Sequence, residues 1–162
     1  CYIEGVCVYN GGRKMKAVIQ LVSKAAVTAE REEKREIGPG YVILLGVAEG
    51  DTEETMKKMV KKIIDLRLFQ DENGKTNLSV EDVKGDFLVV SQFTLLADCR
   101  KGRRPSFVKA GNPAEAKKIY EAFIEECKKR IDTVKHGEFG AYMQVELVND
   151  GPFTIVLDSD EL

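Results

Sequence analysis

Hydrophobic and polar positions along the chain fall into short alternating runs and two longer helical repeats. Lys16 to Val22 (KAVIQLV) partly alternates and predicts a strand, and Val27 to Glu30 predicts a second one after Ser23-Lys24. Gly38-Pro39-Gly40 reads as a turn, and Tyr41 to Val47 (YVILLGV), nearly all apolar, predicts a strand buried on both faces. Met56, Met59, Val60, Ile63 and Ile64 then recur at helical spacing, with Asp51 placed as cap, Glu54 three residues on and an end near Asp65. Leu66 to Phe69 returns to strand character before the turn Asp71-Glu72-Asn73-Gly74, and Lys84-Gly85-Asp86 precedes a compact strand, Phe87 to Val90.

A second helix is signalled by Asn112 as cap, Pro113 in the first helical position and Glu115, followed by Ile119, Tyr120, Phe123, Ile124 and Cys127 on one face. Two final strands, Tyr142 to Val148 and Phe153 to Leu157, are expected to be joined by the turn residues Asn149 to Pro152. Tight turns between neighbouring strands favour an α+β fold. The expectation is one domain, residues 15–162, with a mixed or antiparallel, or barrel-like, sheet and packed helices. Residues 1–14 read as an extension, non-native or poorly ordered, because Asn10-Gly11-Gly12 makes a flexible turn just before a strand opening on Met15. Tyr2, Ile3, Val6, Val8 and Tyr9 alternatively supply one more strand.

Composition narrows the classes. A chain of 162 residues, 43% hydrophobic and 32% charged, buries a sizeable core without staples. Its four cysteines show no CxxC pairing and His136 is the single histidine, so neither a disulfide framework nor a closed zinc site is expected, and no metal or cofactor is called for. With no run of about 18 apolar residues and no signal-type N-terminus, the reading is a cytoplasmic protein with no membrane partner. A formal charge of −2 argues against broad engagement of a DNA backbone, yet leaves room for a local basic patch that grips a nucleic-acid end.

No GxGxxG, Walker, HExxH or GxSxG pattern is present. His136 lies in the polar stretch Lys135-His136-Gly137-Glu138 and reads as a solvated loop residue. Two segments stand out. Ser91-Gln92-Phe93-Thr94-Leu95 follows an apolar strand, where side chains and backbone N–H groups collect at a sheet rim; capping and strand-end hydrogen bonding explain its hydroxyls equally well. Asn149-Asp150-Gly151-Pro152-Phe153-Thr154 is the other, and taken alone it is a turn.

Taken together, in this order and spacing, these segments resemble the D-aminoacyl-tRNA deacylase family, whose SQFTL and NxGPxT motifs stand here at Ser91–Leu95 and Asn149–Thr154. The likeness runs from about Met15 to Leu157 and takes in MKAVIQLV, IGPGYVILLGV, DENGKTNLSV, GDFLVVSQFTLLAD, RPSF and YMQVELVNDGPFT. It implies hydrolysis of the ester of D-aminoacyl-tRNA, and of glycyl-tRNA, with L-amino acids rejected. Ser91, Gln92, Phe93 and Thr94 form the implied catalytic segment, with the N–H groups near Phe93 and Thr94 holding the oxyanion and the terminal 2′-hydroxyl assisting. Covalent attack by Thr94 is the alternative, and it lacks an evident base.

The same resemblance implies a homodimer in which Gly151 and Pro152, joined by a cis peptide, enter the partner's site and exclude L side chains, with Asn149 and Thr154 supporting the motif. Phe107 is implied to meet the terminal adenine, and Arg103 and Arg104, in the basic run Arg100 to Arg104, the acceptor-end phosphates. Leu21 stands where relatives commonly carry an arginine that braces the Gly-Pro motif. A non-catalytic tRNA 3′-end-binding or synthetase-associated editing module is the competing reading; the intact motifs weigh against it.

Overall fold

The computed structural model describes residues 14–30 and 32–162, so the extension read at residues 1–14 lies, apart from Lys14, outside the described residues. The frame is β1, Lys16–Ala29, a strand of 14 residues. On one edge it pairs antiparallel with β3, Gly40–Gly46, along its first half and with β2, Arg35–Ile37, along its second. β6, Asp86–Ser91, runs parallel to β3, and β7, Val134–His136, parallel to β6. The last strand, β8, Met143–Asp158, covers the other edge of β1 over its full length. A hairpin of β4, Arg67–Gln70, and β5, Thr76–Ser79, stands apart as a two-stranded sheet.

Two helices, α1 (Glu53–Asp65) and α2 (Pro113–Lys128), cover one face of this mixed sheet. Under them lie Ala17 and Ile19 of β1, Tyr41, Ile43 and Leu45 of β3, and Phe87 and Val89 of β6. The alternate residues Val42, Leu88 and Val90 point the other way, onto Val22, Val27 and Ile37, because the sheet curls until β2 approaches β7. Arg35 closes that gap by donating from Nη1 to the carbonyl of His136 at 2.7 Å. The sheet is therefore barrel-like, and the double burial expected of the Tyr41–Val47 run follows from its central place.

Three local expectations are corrected. The break placed at Ser23-Lys24 is absent: β1 continues through it because β8 pairs along the whole strand, and two register shifts between Gln20 and Lys24 absorb the irregularity. The turn placed at Asn149 to Pro152 does not reverse the chain either. Both halves of β8 run antiparallel to the same strand, with Asn149 opposite Val22 and Thr154 opposite Gln20, so the residues between them bulge outward. Finally, Thr52 rather than Asp51 caps α1, accepting from the Thr55 N–H at 3.2 Å. The Asp51 carboxylate is engaged elsewhere, by the N–H groups of Ala48 at 2.7 Å and Met15 at 3.1 Å. The Asn112 cap and Pro113 of α2 stand as expected, with Asn112 accepting from the Ala114 N–H at 3.0 Å.

His136 also departs from its reading. It sits in β7, half-buried, with Nδ1 3.0 Å from the Gly137 carbonyl oxygen, because the parallel edge of β6 recruits a polar segment that carries no strand pattern of its own.

Candidate active site

The chain leaves β6 at Ser91 and enters a 3-10 turn, Phe93–Leu96. Gln92 holds this exit to the neighbouring strand, its N–H donating to the Leu45 carbonyl at 2.8 Å. Gly46 beside it leaves the space the turn occupies, since a Cβ there would lie 3.1 Å from the Gln92 carbonyl oxygen and 3.2 Å from Leu95 Cβ. As the first residues of the turn, Phe93 and Thr94 have backbone N–H groups that donate to no carbonyl among the described residues.

A cavity of about 640 Å³ opens at this point. Ser91, Gln92 and Phe93 line it together with Phe107 and the first turn of α2 at Pro113 and Ala116. Phe93 and Phe107 meet edge to face, with ring centroids 5.0 Å apart and planes at 69°. Thr94 is not among the lining residues; its side chain is exposed and its hydroxyl accepts from Gln92 Nε2. Of the four side chains in this segment, those of Ser91, Gln92 and Phe93 border the cavity and that of Thr94 does not.

The remaining wall, which the sequence reading missed, runs from Phe139 to Val145 and includes Tyr142 and Met143. Its only advance signal was aromatic and apolar residues at the start of a strand, which look the same when they build a core. Tyr120 anchors it from behind, donating its hydroxyl to the carbonyls of Val89 at 3.0 Å and Gly137 at 3.2 Å. Burial pushes that phenol well above its ordinary range, so it stays a donor throughout the usable pH range.

Between the 3-10 turn and α2 the chain forms a basic finger. Asp98 and Ser106 pair through both backbone bonds, at 2.8 and 2.9 Å, and residues 99–105 extend beyond them fully exposed. Arg100 folds back onto Asp98, and its guanidinium holds that carboxyl far below the usual range. Arg103 and Arg104 form no ion pair among the described residues. Arg103 and Arg104, the cations expected to meet phosphate, are therefore available, as is Lys101, and Arg100 serves the finger's own base.

Gly151 and Pro152 lie outside this cavity. The peptide between them is cis, and Gly151 has φ +131°, a conformation L side chains rarely adopt, with a Cβ there only 3.1 Å from the Phe153 nitrogen. Asn149 ties off the bulge with both ends of its amide: Oδ1 accepts from the Phe153 N–H at 2.9 Å and Nδ2 donates to Thr154 Oγ1 at 2.9 Å. Ser91, Leu45, Ala17 and Leu157 form one row across β6, β3, β1 and β8. Leu21 sits opposite the bulge, half-buried and packed with Phe153 against the helix-covered core.

Residues 18–158 match the family model described as D-Tyr-tRNA(Tyr) deacylase. The chain is 56% identical over 145 residues to a D-aminoacyl-tRNA deacylase of Dehalococcoides mccartyi, covering 90% of this chain and 95% of the relative. Among solved structures it is similar to the c-Myc DNA Unwinding Element Binding Protein, at 45% identity and a TM-score of 0.82, covering 88% of this chain and 97% of that one. A probable eukaryotic D-amino acid tRNA deacylase shares the fold at 16% identity, with a TM-score of 0.81 over 90% and 99% of the two chains.

Proposed function

The chain belongs to the D-Tyr-tRNA(Tyr) deacylase family, and from that premise we propose that it hydrolyses D-aminoacyl-tRNA to free amino acid and tRNA at the cavity beside Ser91. The observation that carries the reading is the pair of unengaged N–H groups at Phe93 and Thr94, fixed by the Gln92 anchor at the edge of an apolar, phenylalanine-lined cavity. Water adds to the ester carbonyl carbon, the carbonyl oxygen gathers negative charge against those two donors, and the bond to the ribose oxygen breaks as that oxygen takes up a proton. Ser91 and Gln92 shape the donors. The neighbouring ribose hydroxyl of the substrate assists, because no side chain of the cavity wall is a strong base.

Stereochemical control comes in this reading from a second copy of the chain. The Gly151-Pro152 bulge does not line its own cavity, is exposed, and is held by Asn149 and Thr154, which suits a main-chain probe inserted into a partner. Backbone at that position excludes an L side chain by contact, whereas glycine presents nothing to exclude, so glycyl-tRNA is a substrate too. Leu21 and Phe153 pack against the core beside the bulge, and this apolar packing takes the bracing role in this reading. Arg103 and Arg104 take phosphates of the acceptor end and Phe107 packs on the terminal adenine.

The site of action in this reading is the cytoplasm, where aminoacyl-tRNA is; no described helix is long and apolar enough to cross a membrane. The name of the 45% identical protein describes DNA binding, which supports nucleic acid as the partner class in this reading. A net charge of −2, with Lys101, Arg103 and Arg104 clustered and exposed on one finger, suits gripping an RNA end more than following a duplex. The test is parallel hydrolysis of D-tyrosyl-, L-tyrosyl- and glycyl-tRNA: release from the D and glycyl esters with the L ester spared is expected, and equal rates on D and L esters would end the stereochemical claim.

A further inference from the structure

Strand β7 ends before β6 does. Their parallel ladder runs from Phe87 opposite Val134 to Val89 opposite His136, and its last backbone bond is the Gly137 N–H donating to the Val89 carbonyl at 2.9 Å. Val90 and Ser91 continue β6 without that neighbour. Because Gln92 turns its N–H to β3, where the Leu45 carbonyl receives it, Ser91 turns its own to the side on which β7 has ended. Tyr120 of α2, 2% exposed, reaches this position and shares its hydroxyl proton between the Val89 carbonyl at 3.0 Å and the Gly137 carbonyl at 3.2 Å. Burial and Glu138 raise the phenol, while Arg35 and the backbone of Ser91 and Gly137 oppose the rise, so those backbone groups bear on the same oxygen.

The hydroxyl thus stands where the next rung of the β6–β7 ladder would be, and it joins two segments that bound the cavity. Ser91 leads into the turn whose Phe93 and Thr94 N–H groups receive the oxyanion in the reading above. Gly137 leads into the Phe139–Val145 wall: a Cβ on it would collide with Met143 of that wall, and the Phe139 ring lies 5.7 Å from that of Tyr120. A phenylalanine would fill the same space, so packing alone does not account for a buried hydroxyl, whose removal from water has to be offset by the bonds it makes. Tyr120 does not line the cavity, so it acts on what binds there only through its neighbours. We propose that Tyr120 is a positioning residue for ester hydrolysis: its hydroxyl fixes the exit of β6, and through Ser91 the oxyanion donors, against the opposite wall. The role in hydrolysis rests on the deacylase reading; the joint between the two walls rests on the hydrogen bonds alone.

Tyr120→Phe removes the joint and keeps the ring. Phe123→Leu, one turn further along α2 in the same core, controls for destabilisation with the joint intact. In steady-state hydrolysis of D-tyrosyl-tRNA, Tyr120→Phe is expected to lower kcat about tenfold or more with KM within about twofold, because a small misplacement of the donors is felt in the transition state. Phe123→Leu should melt at least as low and keep kcat within about twofold. Replacing Tyr120 with p-aminophenylalanine, which returns a donor to the same place, should recover most of kcat. Amide hydrogen exchange needs no substrate: the amides of Ser91 to Phe93 and of Gly137 to Phe139 should exchange about tenfold faster in Tyr120→Phe, with those of β1 and β3 unchanged. Unchanged exchange at those segments, a kcat loss no larger than that of Phe123→Leu, an effect on KM alone, or no recovery with the amine would overturn the proposal. If exchange rises as expected but the parent releases no D-amino acid, the deacylase reading fails and the joint stands.

Discussion

Asn149 and Thr154 lie five positions apart on one strand, yet Asn149 Nδ2 donates directly to Thr154 Oγ1 at 2.9 Å, which closes the bulge that carries Gly151 and Pro152. The same amide accepts from the Phe153 N–H, so one side chain sets the bulge's width and its exit. Shape here is held by two hydrogen bonds rather than by burial, because Asp150, Gly151 and Pro152 are exposed.

Asn149→Ala should therefore harm function more than stability. Loss of two net hydrogen bonds costs about 1–2 kcal/mol, which the rest of β8 tolerates. A bulge displaced by ~1 Å, in contrast, is expected to cost tenfold or more in discrimination between D- and L-tyrosyl-tRNA. Parallel melting curves and paired D/L hydrolysis rates test this; a variant that melts far below the parent while keeping full discrimination would contradict it.

Thr94→Ala is expected to keep at least a third of the parental kcat, on the order of a loss below 1 kcal/mol. The hydroxyl is turned out of the cavity toward Gln92, and no base adjoins it. Single-turnover hydrolysis of D-tyrosyl-tRNA checks this, and a thousandfold loss would revive the nucleophile reading. The contrasting change, Gly46→Val, would push against the Gln92 carbonyl and disturb the donors themselves.

Sequence pattern carried the helices well, since an apolar face at helical spacing, a cap and Pro113 are all local signals. It carried the central strands for the same reason: β3 and residues 87–90 of β6 are apolar because both faces are covered. What it could not carry depended on partners distant in the chain. β1 and β8 are each single strands only because they pair with one another, so Ser23-Lys24 and Asn149–Pro152 read as interruptions. β2 and β7, of three residues each, exist because a curled sheet brings edges to them. The motifs point to the segment from Ser91 that borders the cavity and to the Asn149–Thr154 bulge outside it, but the Phe139–Val145 wall has no sequence pattern distinct from core packing.

Cysteine accessibility offers a direct check of the core. Burial pushes the Cys127 thiol up to about 12, while Cys99 is exposed on the finger. With Cys1 and Cys7 replaced by serine, a thiol reagent at pH 8 should titrate one cysteine rapidly, and the second only on unfolding. Because the raised thiol is neutral at that pH, it draws on stability only as pH climbs above its ordinary 9.0. Two fast thiols in the folded protein would mean that α2 does not pack as described.

Asp51 links the start of β1 to the approach to α1, and its titration gives a signed test. Burial raises its carboxyl above the ordinary 3.8, against the lowering effects of the Ala48 and Met15 N–H groups and of Lys14, with Asp158 adding to the rise. The folded state thus holds this proton more tightly than the unfolded chain does. Stability contributed by Asp51 is consequently lost as pH rises from about 3.8 through the raised value, and is constant above it. Asp65, Asp71, Asp82 and Asp98 are shifted down and act in the opposite sense, losing their contribution as pH falls, so the effect of Asp51 is visible only as a difference. Melting of the parent and of Asp51→Asn between pH 3 and pH 7 should show the parent losing ground to the variant with rising pH, then running parallel. Asp51→Ala, which strands two backbone N–H groups, should melt lower at every pH, by roughly 5–10 °C for a loss of about 2–3 kcal/mol. A parent that instead gains on Asp51→Asn as pH rises would mean that the two N–H bonds outweigh burial and that the carboxyl is shifted down.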